Sequence, residues 1–154
     1  MERVSSRVTI NSSSIEPLFS CALVGLGNIG GFPFGKVAES SNIRSHAQAI
    51  DFIESLSLDA ICDIDENKVK KIKESFNVDR SFNSINKLLS YRKFDIISIC
   101  TPDDTHYNLI DVILSSQNVP RVIICEKPLA VEMAHQQDLL EKVKNRDDVR
   151  LIVN

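Results

Sequence analysis

Short apolar runs rich in β-branched residues recur along the chain and are separated by longer amphipathic segments. The runs are SCALVG (20–25), LDAICD (58–63), FDIISIC (94–100), RVIICE (121–126) and VRLIV (149–153). Their apolar residues are continuous rather than alternating, which is typical of strands buried on both faces of a parallel sheet. The pattern therefore predicts an α/β protein in which these runs are the strands.

The segments between the runs have the apolar spacing of helices that cover a sheet. The residues that this spacing places on buried helix faces are Ala49, Ile50, Ile53, Leu56, Val69, Ile72, Phe76, Leu109, Ile110, Ile113, Met133, Leu140 and Val143. Strands that alternate with helices through right-handed crossovers form an open, doubly wound parallel sheet with helices on both faces. We therefore expect a three-layer αβα arrangement.

Composition narrows the class of protein without defining its function. Residues 1–18 are Ser-rich and weakly patterned, so we expect a partly disordered leader followed by one domain over residues 19–154. The net charge of -3 gives no electrostatic reason to expect nucleic acid or an anionic membrane surface as a partner. No stretch approaches the roughly 20 apolar residues that span a bilayer.

The cysteines indicate a reducing compartment. All four lie in or beside apolar runs and none shows C-x-x-C spacing: Cys21, Cys62, Cys100 and Cys125. This placement is typical of buried free thiols in a cytoplasmic protein, and it gives no reason to expect a metal site.

All five glycines lie in one stretch, GLGNIGGFPFG, between residues 25 and 35. Gly25, Gly27 and Gly30 fit the pattern G-x-G-x-x-G directly after a predicted strand. In that motif the first glycine makes a tight turn, the second lets the backbone approach a pyrophosphate, and the third lets helix and strand pack closely. The N–H groups of the following helix then hold the anion. The glycine pattern alone is weak support, and the preceding strand strengthens it.

Pro33 interrupts the helix that should follow this turn. A proline in a helix interior costs about 3 kcal/mol or more, so we predict only about one helical turn after Gly27. An inserted loop should then run to about Arg44, with a helix resuming near Ser45. We expect this loop near the mouth of the cofactor site, with its two phenylalanines beside the ligand.

Asp63 ends the second predicted strand, where an acidic residue can accept hydrogen bonds from a ribose diol. Its distance from Gly30 exceeds the usual ~20 residues because of the insertion. A carboxylate there would repel a 2′-phosphate, and no arginine follows it, so the sequence indicates NAD rather than NADP. The alternative is a solvated aspartate that starts a turn.

Two further segments follow strands and should therefore lie at the carboxyl edge of the sheet, where open α/β sheets bind ligands. In TPDDTH (101–106), the simpler interpretation is a strand exit and a helix cap, with His106 in the first helical turn. In Glu126-Lys127-Pro128, the proline keeps Lys127 out of helical geometry, so its side chain should project from the edge. A lysine there can orient a hydroxyl or carbonyl and stabilise charge during hydride transfer. The alternative is a surface lysine in a loop.

In this order, GLGNIG, ICDIDENK, DIISICTPDDTH and VIICEKPLA resemble the N-terminal domain of the Gfo/Idh/MocA oxidoreductases. That family is named for glucose-fructose oxidoreductase and inositol dehydrogenase. The resemblance runs from about Cys21 to Asn154, and T-P-x-x-x-H paired with E-K-P is much more specific than the glycine pattern. It implies NAD(P)-dependent chemistry on sugars, nucleotide sugars or cyclitols. With it we expect a six-stranded Rossmann domain of strand order 3-2-1-4-5-6.

The resemblance also implies roles for individual residues. The pyrophosphate would be contacted by Gly25, Gly27, Asn28, Ile29 and Gly30, and the adenosine ribose by Asp63. The nicotinamide side would be lined by Thr101, Pro102 and His106. Glu126 would be one of the cofactor-binding residues and would help to fix its loop. Lys127 would be the catalytic lysine that contacts both substrate and nicotinamide.

Members of the family continue past the sixth strand into an α/β domain that carries a catalytic His or Asp. The expected linker to that domain coincides with VRLIVN, so we predict a cofactor half that binds NAD(H) with little or no turnover. The exposed face that such a domain would cover favours self-association, so a homo-oligomer is expected. The alternatives are a non-catalytic nucleotide-binding module, a subunit completed by another chain, and a scaffold that binds no nucleotide.

Overall fold

The computed structural model describes residues 19–33 and 35–154, over which strands and helices alternate. The strands are β1 (Phe19–Val24), β2 (Leu56–Cys62), β3 (Arg80–Phe82), β4 (Ile96–Ile99), β5 (Val122–Cys125) and β6 (Arg150–Val153). The helices are α1 (Asn28–Gly31), α2 (His46–Phe52), α3 (Glu66–Phe76), α4 (Ile85–Tyr91), α5 (His106–Leu114) and α6 (Met133–Lys144). The expected leader at 1–18 and the side chain of Phe34 lie outside the described residues.

The six strands form one parallel sheet in the order β3-β2-β1-β4-β5-β6, which confirms the predicted Rossmann topology. In the register of the central strand, Ala22 faces Ala60 of β2 on one side and Ile97 of β4 on the other. The chain winds outward in one direction from β1 to β3, and then in the other direction from β4 to β6. The point of reversal therefore lies between β1 and β4.

Two apolar layers cover the two faces of the sheet and account for the continuous apolar runs. Leu23 and Ile61 pack with Ala47 of α2 and Ile72 of α3 on one face. Alternate residues of the same strands pack with α4, α5 and α6 on the other face, as Ala22 does. Because both faces are covered, each central strand is apolar at successive positions rather than at every second one.

The third strand is the one that the apolar pattern did not locate. Arg80–Phe82 is only three residues long and pairs with β2 alone, at the edge of the sheet. An edge strand pairs on one side only, and a strand this short can form without an apolar run. Six strands were expected, but only five runs could be named from the sequence.

The predicted buried face of α6 is wrong in part. Met133 and Leu140 are 68% and 54% exposed, whereas Leu139 is fully buried and Val143 is partly buried against the core. A buried face that includes Leu139 and one that includes Leu140 contain equally many apolar residues, so periodicity alone could not choose between them. Packing against α5 and the sheet makes the choice.

The interrupted first helix follows the prediction. α1 is a single turn, and α2 begins at His46 with the side chain of Ser45 accepting a hydrogen bond from the N–H of Gln48. Gln48 also ties down the connecting loop, since its side chain donates to the carbonyl of Gly35 and accepts from the N–H of Arg44. The helix ends earlier than expected.

The early end of α2 overturns two predicted core positions. Ile53 is the residue after the helix and is 45% exposed, and Leu56 is the first residue of β2. Ile50 is buried as predicted. The spacing of these apolar residues therefore described a helix and the start of the next strand together.

Three smaller findings concern the described residues as a whole. No helix in 19–33 or 35–154 is long and apolar enough to cross a membrane. Within the same ranges no cluster of His, Cys, Asp and Glu could hold a metal ion. All four cysteines are buried and free, as predicted.

The corrected face of α6 can be tested with two neighbouring substitutions. Leu139→Ala should lower the free energy of unfolding by about 2–5 kcal/mol, because it removes a fully buried side chain. Leu140→Ala, the matched control, should change it by roughly 0.5 kcal/mol or less, because that side chain faces solvent. Urea denaturation followed by circular dichroism measures both. Similar losses from both variants would contradict the assigned face.

Candidate functional site

A cleft of about 620 Å³ opens at the carboxyl ends of β1, β2 and β4. Its volume lies within the range of about 300–1,000 Å³ that is typical of small-molecule and cofactor sites. Among its lining residues are Gly25, Gly27, Asp63, Thr101 and Pro102. Five of the residues proposed from the sequence therefore meet at the reversal point of the sheet, where open α/β folds bind their ligands.

The three glycines of the motif differ in what surrounds them. Gly25 has a φ of +87°, and a Cβ there would lie 2.6 Å from the carbonyl carbon of Cys100. A Cβ on Gly30 would lie 2.0 Å from the carbonyl oxygen of Gly25. A Cβ on Gly27 would meet no described atom within 4 Å. Packing therefore requires the first and third glycines, whereas the second leaves open space beside the cleft.

The first turn of α1 presents backbone donors. Gly27 is its N-cap and no described side chain caps it. The N–H groups of the first residues of a helix have no acceptor within that helix. Asn28 and Ile29 are exposed, and Gly30 is buried beneath the turn. The geometry suits an anionic group that approaches the backbone at Gly27.

Asp63 connects the end of β2 to the glycine turn. Its Oδ2 accepts a hydrogen bond from the N–H of Leu26 at 2.7 Å, and its Oδ1 accepts one from the N–H of Asp65 at 2.8 Å. The carboxylate therefore shapes the turn as well as lining the cleft. Each oxygen has a second lone pair, so the group can still accept from hydroxyl donors.

The segment after β4 is held by local hydrogen bonds. The hydroxyl of Thr105 lies 2.6 Å from both the hydroxyl of Thr101 and the carbonyl of Pro102. These contacts close a short 3-10 turn over Asp103–Thr105. Thr101, Pro102 and Thr105 all line the cleft, so this wall is rigid where a ligand would lie against it.

His106 lies beneath that wall rather than in the cleft. It is 1% exposed and begins α5. Its Nε2 is 2.9 Å from the carbonyl oxygen of Thr101, and its Nδ1 is 2.8 Å from that of Pro128. The ring therefore lies between the loop after β4 and the loop after β5, with a carbonyl acceptor beside each ring nitrogen. Its expected contact with a nicotinamide stays a prediction, while its position between the two loops is a finding.

Glu126 and Lys127 lie one strand further along the same edge and do not line the 620 Å³ cleft. The N–H of Glu126 donates to the carbonyl of Ile99, which fixes its backbone beside β4. Its Oε1 accepts from Nε2 of His46 at 2.9 Å and from the side-chain amide of Asn154 at 2.6 Å. Lys127 is exposed, as expected for a side chain that projects from the sheet edge.

The hydrogen-bond partners of Glu126 keep its carboxyl group negatively charged. Burial raises the pKa of this carboxyl, but the hydrogen bonds from Asn154 and His46, with the positive charge of Lys127, outweigh it and hold the pKa below its usual value. Glu126 is therefore a carboxylate at neutral pH.

The sequence analysis missed three residues of this network: His46, Ser98 and Asn154. Ser98 is 1% exposed, and its hydroxyl lies 2.7 Å from Nδ1 of His46. The available signal was a serine inside the apolar run IISIC, because a buried hydroxyl requires a hydrogen-bond partner. The identity of that partner depends on a contact between residues 52 positions apart, which spacing does not reveal.

Two cysteines line the cleft, and burial raises the pKa of both thiols. Desolvation raises the pKa of Cys100 to about 12 and that of Cys62 to about 11. Both thiols are therefore protonated at neutral pH and are poor nucleophiles. The cleft has no reactive thiol among its described residues.

The sequence and the fold are similar to those of known proteins. The family model GFO_IDH_MocA, described as an oxidoreductase family with an NAD-binding Rossmann fold, matches residues 19–154. Myo-inositol 2-dehydrogenase of Thermotoga maritima is 25% identical over 125 residues, which are 81% of this chain and 33% of that protein. The chain thus spans about a third of the length of the curated relatives it matches.

Solved structures share the fold. Myo-inositol 2-dehydrogenase from Lactobacillus plantarum superposes with a TM-score of 0.71 at 18% identity, over 90% of this chain and 36% of that one. The WlbA dehydrogenase from Chromobacterium violaceum, in complex with NADH and UDP-GlcNAcA, gives 0.70 at 21% identity, over 90% and 35%.

The raised thiol pKa values predict slow modification of the folded chain. At about pH 8, Ellman's reagent should react with few of the four thiols within minutes, because they are protonated and shielded. All four should react at once in concentrated guanidinium chloride. Rapid reaction of Cys100 or Cys62 in the folded chain, identified by mass spectrometry, would contradict the assigned burial.

Proposed function

The chain belongs to the Gfo/Idh/MocA oxidoreductase family as an NAD-binding Rossmann domain, and on this premise we propose that it is the cofactor half of a dehydrogenase. The reaction transfers a hydride between NAD and a carbinol carbon of a sugar, nucleotide sugar or cyclitol. The observation that carries the proposal is the placement of the glycine turn, Asp63, the Thr101–Pro102 wall and the Glu126–Lys127 loop along one edge of the sheet.

The cofactor is proposed to lie across the reversal point of the sheet. Gly27 and the first turn of α1 would hold the pyrophosphate, since that is where the backbone is open to an anion. Asp63, on the β2 side, would accept from the adenosine ribose, and its negative charge would disfavour a 2′-phosphate. The nicotinamide end then lies toward β4 and β5, beside Thr101 and Lys127.

Lys127 is proposed as the catalytic residue. In the oxidation direction the carbinol carbon gives a hydride to NAD⁺ and its oxygen loses a proton. An exposed lysine at the nicotinamide edge can donate a hydrogen bond to that oxygen and stabilise the negative charge that develops on it. We propose that the group that accepts the proton lies outside residues 19–154, in a second domain of the family type.

The substrate class follows from the relatives rather than from the cleft. Their names include myo-inositol, D-apiose and a nucleotide sugar, UDP-GlcNAcA. All are polyhydroxylated, so we propose a small polyol or sugar substrate for this chain as well. Four buried free thiols support a reducing, cytoplasmic location, and self-association through an exposed domain-contact face completes the proposal.

Gly27→Ala tests the cofactor site separately from the fold. The new methyl group meets no described atom, so the melting temperature should fall by about 3 °C or less. It enters the space through which a pyrophosphate would approach, so the dissociation constant for NADH should rise about tenfold or more. Fluorescence titration measures the affinity.

Gly30→Ala is the matched control for that substitution. Its Cβ would lie 2.0 Å from a backbone oxygen, so it should destabilise the chain itself. Unchanged NADH binding by Gly27→Ala, or no NADH binding by the parent chain, would overturn the proposed cofactor site.

If the proton acceptor lies in a second domain, this chain should bind the cofactor without catalysing the reaction. The 154-residue chain should bind NADH but show no measurable oxidation of myo-inositol, apiose or other polyols with NAD⁺, followed by absorbance at the NADH band. The reason is that the proposed proton acceptor lies elsewhere. A clear dehydrogenase rate from this chain alone would contradict that assignment while leaving the cofactor site intact.

A further inference from the structure

His46 is joined to the Glu126–Lys127 loop by a chain of hydrogen bonds that no part of the glycine motif explains. Its Nδ1 lies 2.7 Å from the hydroxyl of Ser98 on β4, and its Nε2 lies 2.9 Å from Oε1 of Glu126. The side chains of His46 and Glu126 are only 15% and 11% exposed. The contacts therefore form in a largely buried setting, where hydrogen bonds to a charged group are strong.

The chemistry of the partners fixes the direction of the bond to Glu126. A carboxylate can only accept, so Nε2 of His46 must carry the proton that is shared with Oε1. The hydroxyl of Ser98 lies 2.7 Å from Nδ1, so both ring nitrogens have a hydrogen-bond partner. Ser98 thereby holds the orientation of the ring, and the ring directs a donor at the carboxylate.

The network also joins two separate parts of the chain. His46 is the first residue of α2 and directly follows the inserted loop, whose ends are tied to α2 through Gln48. Glu126 directly follows β5, and its backbone N–H donates to the carbonyl of Ile99 at the end of β4. The side chain of His46 thus links the helix layer to the loop that carries Lys127.

We propose that His46 is a positioning residue, whose ring, held by Ser98, fixes Glu126 and through it the loop that presents Lys127 at the nicotinamide end of the cofactor. The inference rests on the proposed function, because the nicotinamide end is placed by the cofactor site described above. His46 itself contacts neither the cofactor nor the substrate in this assignment.

Two ligands distinguish positioning from a general effect on the fold. ADP-ribose has the adenosine, pyrophosphate and second ribose of NADH but lacks the nicotinamide. His46→Phe keeps a ring of similar size and removes both nitrogens. Its dissociation constant for NADH should rise about tenfold, which is the effect of losing one hydrogen bond to a charged group. Its dissociation constant for ADP-ribose should stay within about twofold of the parent value.

Conservative and control variants sharpen the comparison. His46→Gln retains an N–H donor at the reach of Nε2, so NADH binding should return to within about threefold of the parent chain. His135→Phe changes the histidine that stacks on Tyr107 at α6 and should alter neither affinity. If His46→Phe does not fold, Ser98→Ala decides the question, since it releases the ring and should weaken NADH binding while sparing ADP-ribose.

The outcomes separate the inference from the function on which it rests. A parent chain that binds neither ligand overturns the proposed cofactor site and this inference with it. A parent chain that binds both, with His46→Phe weakening both equally or neither, overturns the positioning role alone. Failure of His46→Gln to restore NADH binding would also overturn the positioning role, because the effect of His46 would then not depend on a hydrogen-bond donor to Glu126.

Discussion

The close approach of the glycine turn to the end of β4 is the constraint on which the site depends. Gly25 lies so near the Cys100–Thr101 peptide that a Cβ would be 2.6–2.7 Å from its atoms, and Gly30 in turn lies against the carbonyl of Gly25. Backbone packed directly on backbone leaves no room for a side chain. This contact brings the turn and the Thr101–Pro102 wall together and thereby defines the cleft between them.

The same crowding explains why the first helix can be so short. A single isolated turn is not stable, because helix nucleation fixes several residues for one hydrogen bond. Here Gly30 and Gly31 are buried, and a Cβ on Gly31 would lie 2.6 Å from the side chain of Ile72 on α3. Tertiary packing therefore holds α1 in place, and the chain can leave as a loop after one turn. The fourth glycine serves this packing rather than the phosphate motif.

Sequence patterns predicted what depends on local residues. The five apolar runs located five of the six strands, and Pro33 located the break in the first helix. The run at 149–153 was wrongly predicted to be buried on both faces, because β6 is an edge strand with three of its four residues exposed. The edge strand at Arg80–Phe82 was not located because it has no apolar run. Leu140 was assigned to the buried face of α6 in place of Leu139, because the apolar spacing of that helix accommodates either leucine. The motif residues were named because their spacing is local. His46 was not, because its role depends on a hydrogen bond to Glu126 across 80 positions of sequence.

The contrast between a buried carboxylate and an exposed lysine has a physical consequence for Lys127. A lysine side chain carries about 2 kcal/mol of rotamer entropy, so its ammonium is placed well only if the backbone from which it extends is fixed. That backbone follows Glu126, which is held by the carbonyl of Ile99 and by the donors His46 and Asn154. On the other side of Lys127, Nδ1 of His106 lies 2.8 Å from the carbonyl oxygen of Pro128. The exposed lysine therefore obtains its position from the contacts of the residues on either side of it, so substitutions at the partners of Glu126 should displace this loop before they disturb the glycine turn.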